Sequence, residues 1–227
     1  MAINRPASPF WRFLYEHSLA IVIVLLTLGT LAGQFVTGWH DYNDELKDMG
    51  LVALSAGQYF HSGHFLEATF ENWESEFLQM GLYVLLTVWL RQRGSSESKK
   101  LYEEEEVDAE PDASKEDAPW PVRQGGWVLQ LYKNSLSIAF FLLFFGAFFL
   151  HARGGAEVYS IEQVHDGKAA VSTWEYMATS RFWFESLQNW QSEFLSILSI
   201  VTLSIFLRQH GSPESKPVDA AHGETGK

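Results

Sequence analysis

Apolar residues are gathered into four stretches along the chain. From Ser18 to Trp39 the sequence runs SLAIVIVLLTLGTLAGQFVTGW without a charged residue, long enough as a helix to cover a ~30 Å hydrocarbon core. Asn134 to Leu150, NSLSIAFFLLFFGAFFL, is shorter but more strongly apolar. Both read as transmembrane helices. Phe77 to Leu90, FLQMGLYVLLTVWL, and Phe194 to Leu207, FLSILSIVTLSIFL, each offer only 14 uncharged residues, roughly 21 Å of helix. By length alone either suits a buried soluble helix. Their setting argues for spans: each follows an aromatic-rich amphipathic stretch and ends in Arg-Gln, in a chain that already has two. A cleaved signal peptide is the competing reading of the first stretch, with Arg5 and Arg12 before it and Ala32 and Gly33 in it. The length of the stretch and an internal repeat count against cleavage.

That repeat is ungapped. A shift of 117 residues lays Asn72-Trp73-Glu74-Ser75-Glu76-Phe77-Leu78 on Asn189-Trp190-Gln191-Ser192-Glu193-Phe194-Leu195. Leu90-Arg91-Gln92 then meets Leu207-Arg208-Gln209, and Gly94 to Lys99 meets Gly211 to Lys216. Upstream, Tyr42, Glu45, Gly50, Ser55 and Tyr59 meet Tyr159, Glu162, Gly167, Ser172 and Tyr176. The predicted fold class is all-α: an integral membrane four-helix bundle made of two tandem helical hairpins in parallel orientation. Repeat 1 covers residues 10–99, with spans at about 14–37 and 66–92. Repeat 2 covers 127–216, with spans at about 131–152 and 183–209. Between them lies an acidic linker, 100–126, and after them a tail, 217–227. Low hydropathy and like charge predict disorder in both, the linker acting as a solvated tether.

Short signals refine the loops. Ser55-Ala56-Gly57-Gln58 and Ser172-Thr173-Trp174-Glu175 fit the capping box, so a short interfacial helix is expected after each serine. Gly94 and Gly211 stand where a helix C-cap is wanted, with Arg91, Arg93 and Arg208 beside the negative end of the dipole. Arg5, Arg12, Arg91, Arg93, Lys99, Lys100, Arg123, Lys133, Arg208 and Lys216 fall in the tails and linker, against Lys47, Arg153, Lys168 and Arg181 in the intra-repeat loops. By the positive-inside rule both termini and the linker are cytoplasmic. Trp11, Trp89 and Trp127 at inner boundaries, and Trp39, Trp73, Trp174, Trp183 and Trp190 at outer ones, form the expected interfacial anchors.

The 227 residues are 47% hydrophobic with a mean hydropathy of −0.07, an average that conceals four spans among acidic loops. The absence of cysteine excludes disulfides, thiolate metal sites and cysteine nucleophiles. A net charge of −12 argues against nucleic acid. No phosphate loop, zinc-protease or nucleophile-elbow signature is present, so the expected function is not enzymatic, with no metal and no cofactor. His61-x-x-His64 with His40 has no counterpart at the repeat offset, where Ala178, Arg181 and Glu157 stand. His17 and His151 are expected at opposite faces, too far apart to share a haem.

One constellation carries possible chemistry. If the second helix of each hairpin extends upstream to reach ~31 Å, Glu76 and Glu193 lie roughly 9 Å below its outer end. Asn72, Ser75, Glu76 and Gln79 then share a face, as do Asn189, Ser192, Glu193 and Ser196. Two readings stand: an ion or proton site, because an intramembrane carboxylate implies a partner or an aqueous cavity, and structural hydrogen bonding at headgroup level.

The doubled NWxSEFL, the LRQ at each helix end and the GSxESK after it resemble an uncharacterised bacterial family of duplicated four-span membrane proteins, a domain of unknown function. The resemblance covers about residues 10–218. It departs at Ser96, where proline is usual, at Glu74, where glutamine is usual, and at Gly154-Gly155-Ala156, where repeat 1 has Gly38-Trp39. It implies the bacterial cytoplasmic membrane and leaves activity open. The expected partners are the lipid bilayer and a second copy or another membrane protein. The leading expectation is a structural or interaction protein, the other a small ion or proton pathway.

Overall fold

The structure, a computed structural model, describes residues 8–226; Arg5 and Lys227 lie outside the described residues. Among those described, the chain is all-helical with no strand. It divides into two units, one up to Phe65 and one from Leu66.

In the first unit, α1 (Pro9–Glu16) and α2 (Ser18–Asp48) meet at a break on His17, and α3 (Ala56–Phe60) and the start of α4 (Gly63–Leu86) come after them. α2 runs past the predicted end of its span by some three turns, because Tyr42 and Leu46 give its polar end an apolar stripe to bury. These two pack with Tyr59 and Phe65, against Leu31, Phe35, Trp39, Met49 and Leu54. Asn43 pins the returning loop like a strand partner: its Nδ2 donates to Leu54 O (2.9 Å) and its Oδ1 accepts from Leu54 N (2.6 Å). The Ser55 capping box forms with Gln58, so α3 starts where the motif places it.

The second unit continues α4 and adds α5 (Trp120–Gln124), α6 (Gly126–Lys133), α7 (Ser135–His165), α8 (Thr173–Met177) and α9 (Ser180–Phe206). The bounds of α6, α7 and α8 lie 117 residues after those of α1, α2 and α3 at both ends, and α9 starts 117 after α4. Equivalent positions do equivalent work. Ser160, at the place of Asn43, holds Val171 through the same two backbone groups, both at 3.0 Å. The Ser172 capping box forms with Glu175, whose carboxylate the serine holds below its ordinary pKa. Ala152, Ala156, Tyr176 and Phe182 form the core, with Phe148, Tyr159, Val171 and Met177 around them. Complete burial of Phe182 alone contributes about 1.5–3 kcal/mol.

α4 and α9 run side by side in parallel within this unit. Asn189 donates to Glu71 and Trp190 to Glu74, while Gln79 donates to Glu193 O (2.7 Å) and to Ser196 Oγ (2.6 Å). Every pair is separated by 114 to 118 residues, so repeat-equivalent positions face each other along the two helices. Both helices stop short of the predicted ends. Arg91 Nη1 donates to the carbonyls of Thr87, Val88 and Leu90, and Arg208 Nη1 to those of Ser204, Ile205 and Leu207. The arginines, not Gly94 and Gly211, satisfy the orphan carbonyls. The serines of the GSxESK segments brace the chain as it leaves each helix: Ser98 and Ser215 accept from the backbone of Gln92 and Gln209, respectively, at 3.0 Å.

Beyond α9 the chain makes contacts back to the GSxESK segment of the first repeat. Lys216, 2% exposed, donates Nζ to the carbonyls of Gly94, Ala221, His222 and Glu224. A composition rule for disorder does not register a buried lysine whose ammonium finds four backbone carbonyls. The linker carries turns, a single 3₁₀ turn at Glu106–Asp108 and α5. Two described helices, α2 and α7, are long and apolar enough to cross a membrane.

Helix and short helix meet so tightly in each unit that a side chain is excluded. A Cβ on Gly155 would lie 2.4 Å from the Tyr176 ring, and one on Gly38 2.3 Å from the Tyr59 hydroxyl. Gly146, in the same helix as Gly155, has open space. Gly155→Ala is expected to lower unfolding free energy by about 1–3 kcal/mol, because the fully buried ring has nowhere to retreat. Gly146→Ala should be neutral or stabilising by about 0.5–1 kcal/mol. Urea unfolding of both variants in detergent micelles checks the contrast.

Candidate functional site

Ionisable side chains are sparse along these largely apolar helices, so where they collect is informative. Three carboxylates on α4, Glu67, Glu71 and Glu74, recur at spacings of four and three and therefore share one helical face. α7 brings His151 at the end of its apolar run, and α9 brings Glu185. α8 ends on Tyr176 and Met177, its register fixed by the capping box at its start.

These groups converge. His151 and Glu74 are wholly buried, with Nδ1 3.0 Å from Oε2. The other Glu74 oxygen accepts from Trp190 Nε1 at 3.2 Å. Nδ1 of His151 thus faces one Glu74 oxygen, and Nε2 is turned toward Glu185. There the distance to Oε2 is 3.6 Å, outside hydrogen-bond range, and Nε2 has no partner. The Tyr176 hydroxyl lies 2.5 Å from Glu185 Oε2 and 3.2 Å from Glu67 Oε1. Burial, the bond to Glu185 and the charges of Glu67 and Glu185 push the Tyr176 phenol far above its ordinary pKa, so it stays a donor at any physiological pH. Arg181 closes the outer side, binding Glu185 through Nε (2.9 Å) and Glu162 through Nη1 (2.6 Å) over the Tyr159 ring. Phe182 lies against the imidazole, ring centroids 4.9 Å apart.

Carboxylates outnumber cations in this cluster: Glu67, Glu71, Glu74, Glu162 and Glu185 face Arg181 and His151. Thr69 and Ser186, equivalent positions of the two repeats, are two further buried hydroxyls without a partner. Glu67, His151 and Glu185 place one ligating atom each within 4.8 Å of one another. Among the described residues His40, His61 and His64 make no such group; His64 Nδ1 is 3.0 Å from the Tyr59 hydroxyl and its ring stacks on Tyr42.

The residues singled out from sequence fall elsewhere. Glu76 and Asn72 are exposed, Glu193 is half-buried and Ser192 exposed, while Ser75 and Gln79 are buried. Asn72, Ser75 and Ser192 bond to their own helix. Gln79 and Asn189 are the two that reach across, Asn189 to Glu71 at 2.5 Å. The buried face of α4 is one position away from the expected one, and the signal that marks it in the sequence is the helical spacing of Glu67, Glu71 and Glu74. Trp11, Trp73, Trp89, Trp127, Trp174 and Trp183 are exposed, whereas Trp39 donates to Leu54 O and Trp190 to Glu74.

A family model described as a domain of unknown function (DUF6766) matches residues 10–227. The chain belongs to that family. No curated protein and no solved structure matches it. For this DUF6766 chain the cluster is thus defined by its own geometry. Positions 117 residues away from its members are Phe184, Gln188 and Gln191 for the α4 carboxylates, and Gln34 and Ala68 for His151 and Glu185. None of these five is ionisable, although Glu45 and His64 stand at the places of Glu162 and Arg181, so the buried group of glutamates around a histidine occurs once per chain.

Tyr176→Phe keeps the packed ring and removes only the hydroxyl between two carboxylates. It is expected to cost about 1–3 kcal/mol of unfolding free energy, read by thermal or urea unfolding in micelles.

Proposed function

We propose that the chain is a four-span membrane protein of two helical hairpins in one orientation, with both termini and the linker cytoplasmic, and that its role is structural rather than enzymatic. The apolar girdle supports the spans. Leu19, Leu25 and Leu28 on α2, Leu142 and Phe145 on α7, and Leu195, Leu198 and Phe206 on α9 are all exposed, an arrangement water does not tolerate and lipid does. α4 and α9 reach membrane length by carrying polar residues in their outer halves, where the cluster and the α4–α9 hydrogen bonds satisfy them.

The observation that carries the structural reading is the closure of the cluster. Glu74 and His151 have no exposure; both Glu74 oxygens and His151 Nδ1 are spent on the pair and on Trp190. A conducting path needs its ionisable groups lined by water; here they tie α4, α7, α8 and α9 together. In lipid, where helices gain nothing from hiding apolar faces from one another, polar ties and close packing hold a bundle. Partners of such a protein are the bilayer and a second membrane protein or copy meeting its exposed aromatic rim.

Glu74→Ala strips a buried charge of its partner and is expected to lower stability by about 3–5 kcal/mol. Proteoliposomes of the native chain should show no pH-driven ion flux above empty vesicles; flux that Glu74→Ala or Glu76→Gln abolishes would establish a pathway instead. For topology, Lys47→Cys should react with a membrane-impermeant maleimide in intact cells, and protection there reverses the orientation.

A further inference from the structure

The cluster has a geometry that hydrogen bonding leaves incomplete. With Nδ1 of His151 against Glu74, Nε2 stands 3.6 Å from a carboxylate oxygen of Glu185, beyond hydrogen-bond range. The two atoms face each other in a closed interior, and Nε2 is wholly buried without a hydrogen-bond partner. A cation between them resolves the contact. The spacing suits one: ligands on a single tetrahedral ion at about 2.1 Å lie about 3.4 Å from each other. A third ligand is in reach, since Glu67, His151 and Glu185 place donor atoms within 4.8 Å of one another. The pairing of His151 with Glu74 through the other ring nitrogen is the arrangement by which a carboxylate fixes the tautomer and aim of a metal-binding imidazole. Charge points the same way, because five carboxylates share one arginine and one histidine.

We propose that Glu67, His151 and Glu185 bind one divalent transition-metal ion, with Glu74 as the positioning residue that aims His151. Imidazole and carboxylate donors without thiolate suit zinc and its first-row neighbours, and a single nitrogen donor separates such a site from the all-oxygen sites of magnesium and calcium. The three ligands come from α4, α7 and α9, so the ion clips together the helices that the cluster ties. Of the three ligands Glu185 is the partly open one, its side chain keeping 18% of its exposure while Glu67 and His151 are buried.

The test uses the full chain in detergent micelles after chelator treatment, titrated with Zn²⁺ by calorimetry, with Mg²⁺ as the hard-cation control. One Zn²⁺ per chain is expected, with Mg²⁺ at least about tenfold weaker. Glu67→Gln and Glu185→Gln should each weaken Zn²⁺ at least about tenfold, Glu74→Gln by about 10–100-fold, and His61→Asn should leave it unchanged. X-ray absorption at the zinc edge of the loaded native chain should show one imidazole and otherwise oxygen ligands, a reading that does not depend on any variant folding. Absence of Zn²⁺ binding, binding unchanged in both glutamine variants, or two or more imidazole ligands each overturns the site. The inference rests on the cluster being closed as proposed above but fails separately from it: no zinc with Glu74→Ala still destabilising removes the ion and leaves the tie.

Discussion

A carboxylate and an imidazole with no access to water set the terms for the second unit. Glu74 and His151 are tolerable in an apolar interior only as a pair, and the pair is tolerable only because its remaining atoms have assigned neighbours. Trp190 takes one oxygen of Glu74, Phe182 covers the ring of His151, and Glu185 stands opposite its free nitrogen. Each requirement fixes a helix. Trp190 sets the register of α9 on α4, and Tyr176 must lie flat on Gly155 to reach both Glu67 and Glu185. The Arg181 guanidinium completes the shell and leaves it negative. A buried pair with so strict an environment disfavours other registers of these helices.

The two units solve the same local problem with different chemistry. In the first, His64 stacks on Tyr42; at the equivalent place in the second, Arg181 lies over Tyr159. Asn43 and Ser160 clasp a returning loop through the same two backbone groups. Tyr59 and Tyr176 both press on a glycine. The backbone geometry repeats while the side chains drift, and the drift is toward charge in only one unit.

Much of this was legible in the sequence because periodicity and caps are local. The capping boxes at Ser55 and Ser172 placed α3 and α8, and the shift of 117 residues reappears in helix bounds. What escaped was non-local. Glu76 and Glu193 stood out because they repeat, yet repetition marks what both halves need, and the buried carboxylates are those that do not repeat. Glu74 was visible only as a departure from a glutamine. Choosing the buried face of α4 required knowing which side α7 and α9 occupy, and a rotation of one residue moves a carboxylate from the interior to the surface. The bonds of Lys216 escaped for a similar reason: its acceptors are carbonyls of the tail and that of Gly94, invisible to composition.

The composite origin of the cluster has an evolutionary meaning. Its carboxylates on α4 come from the first half of the duplication, its histidine, tyrosine and arginine from the second. Two copies of the first half would bring six such carboxylates and no histidine at the place of His151; two copies of the second would bring the histidine with no α4 glutamate to hold it. A symmetric dimer of either ancestor-like half therefore lacks the site altogether. The two halves therefore contribute different sides of the same pair, which makes them unequal partners that cannot be exchanged.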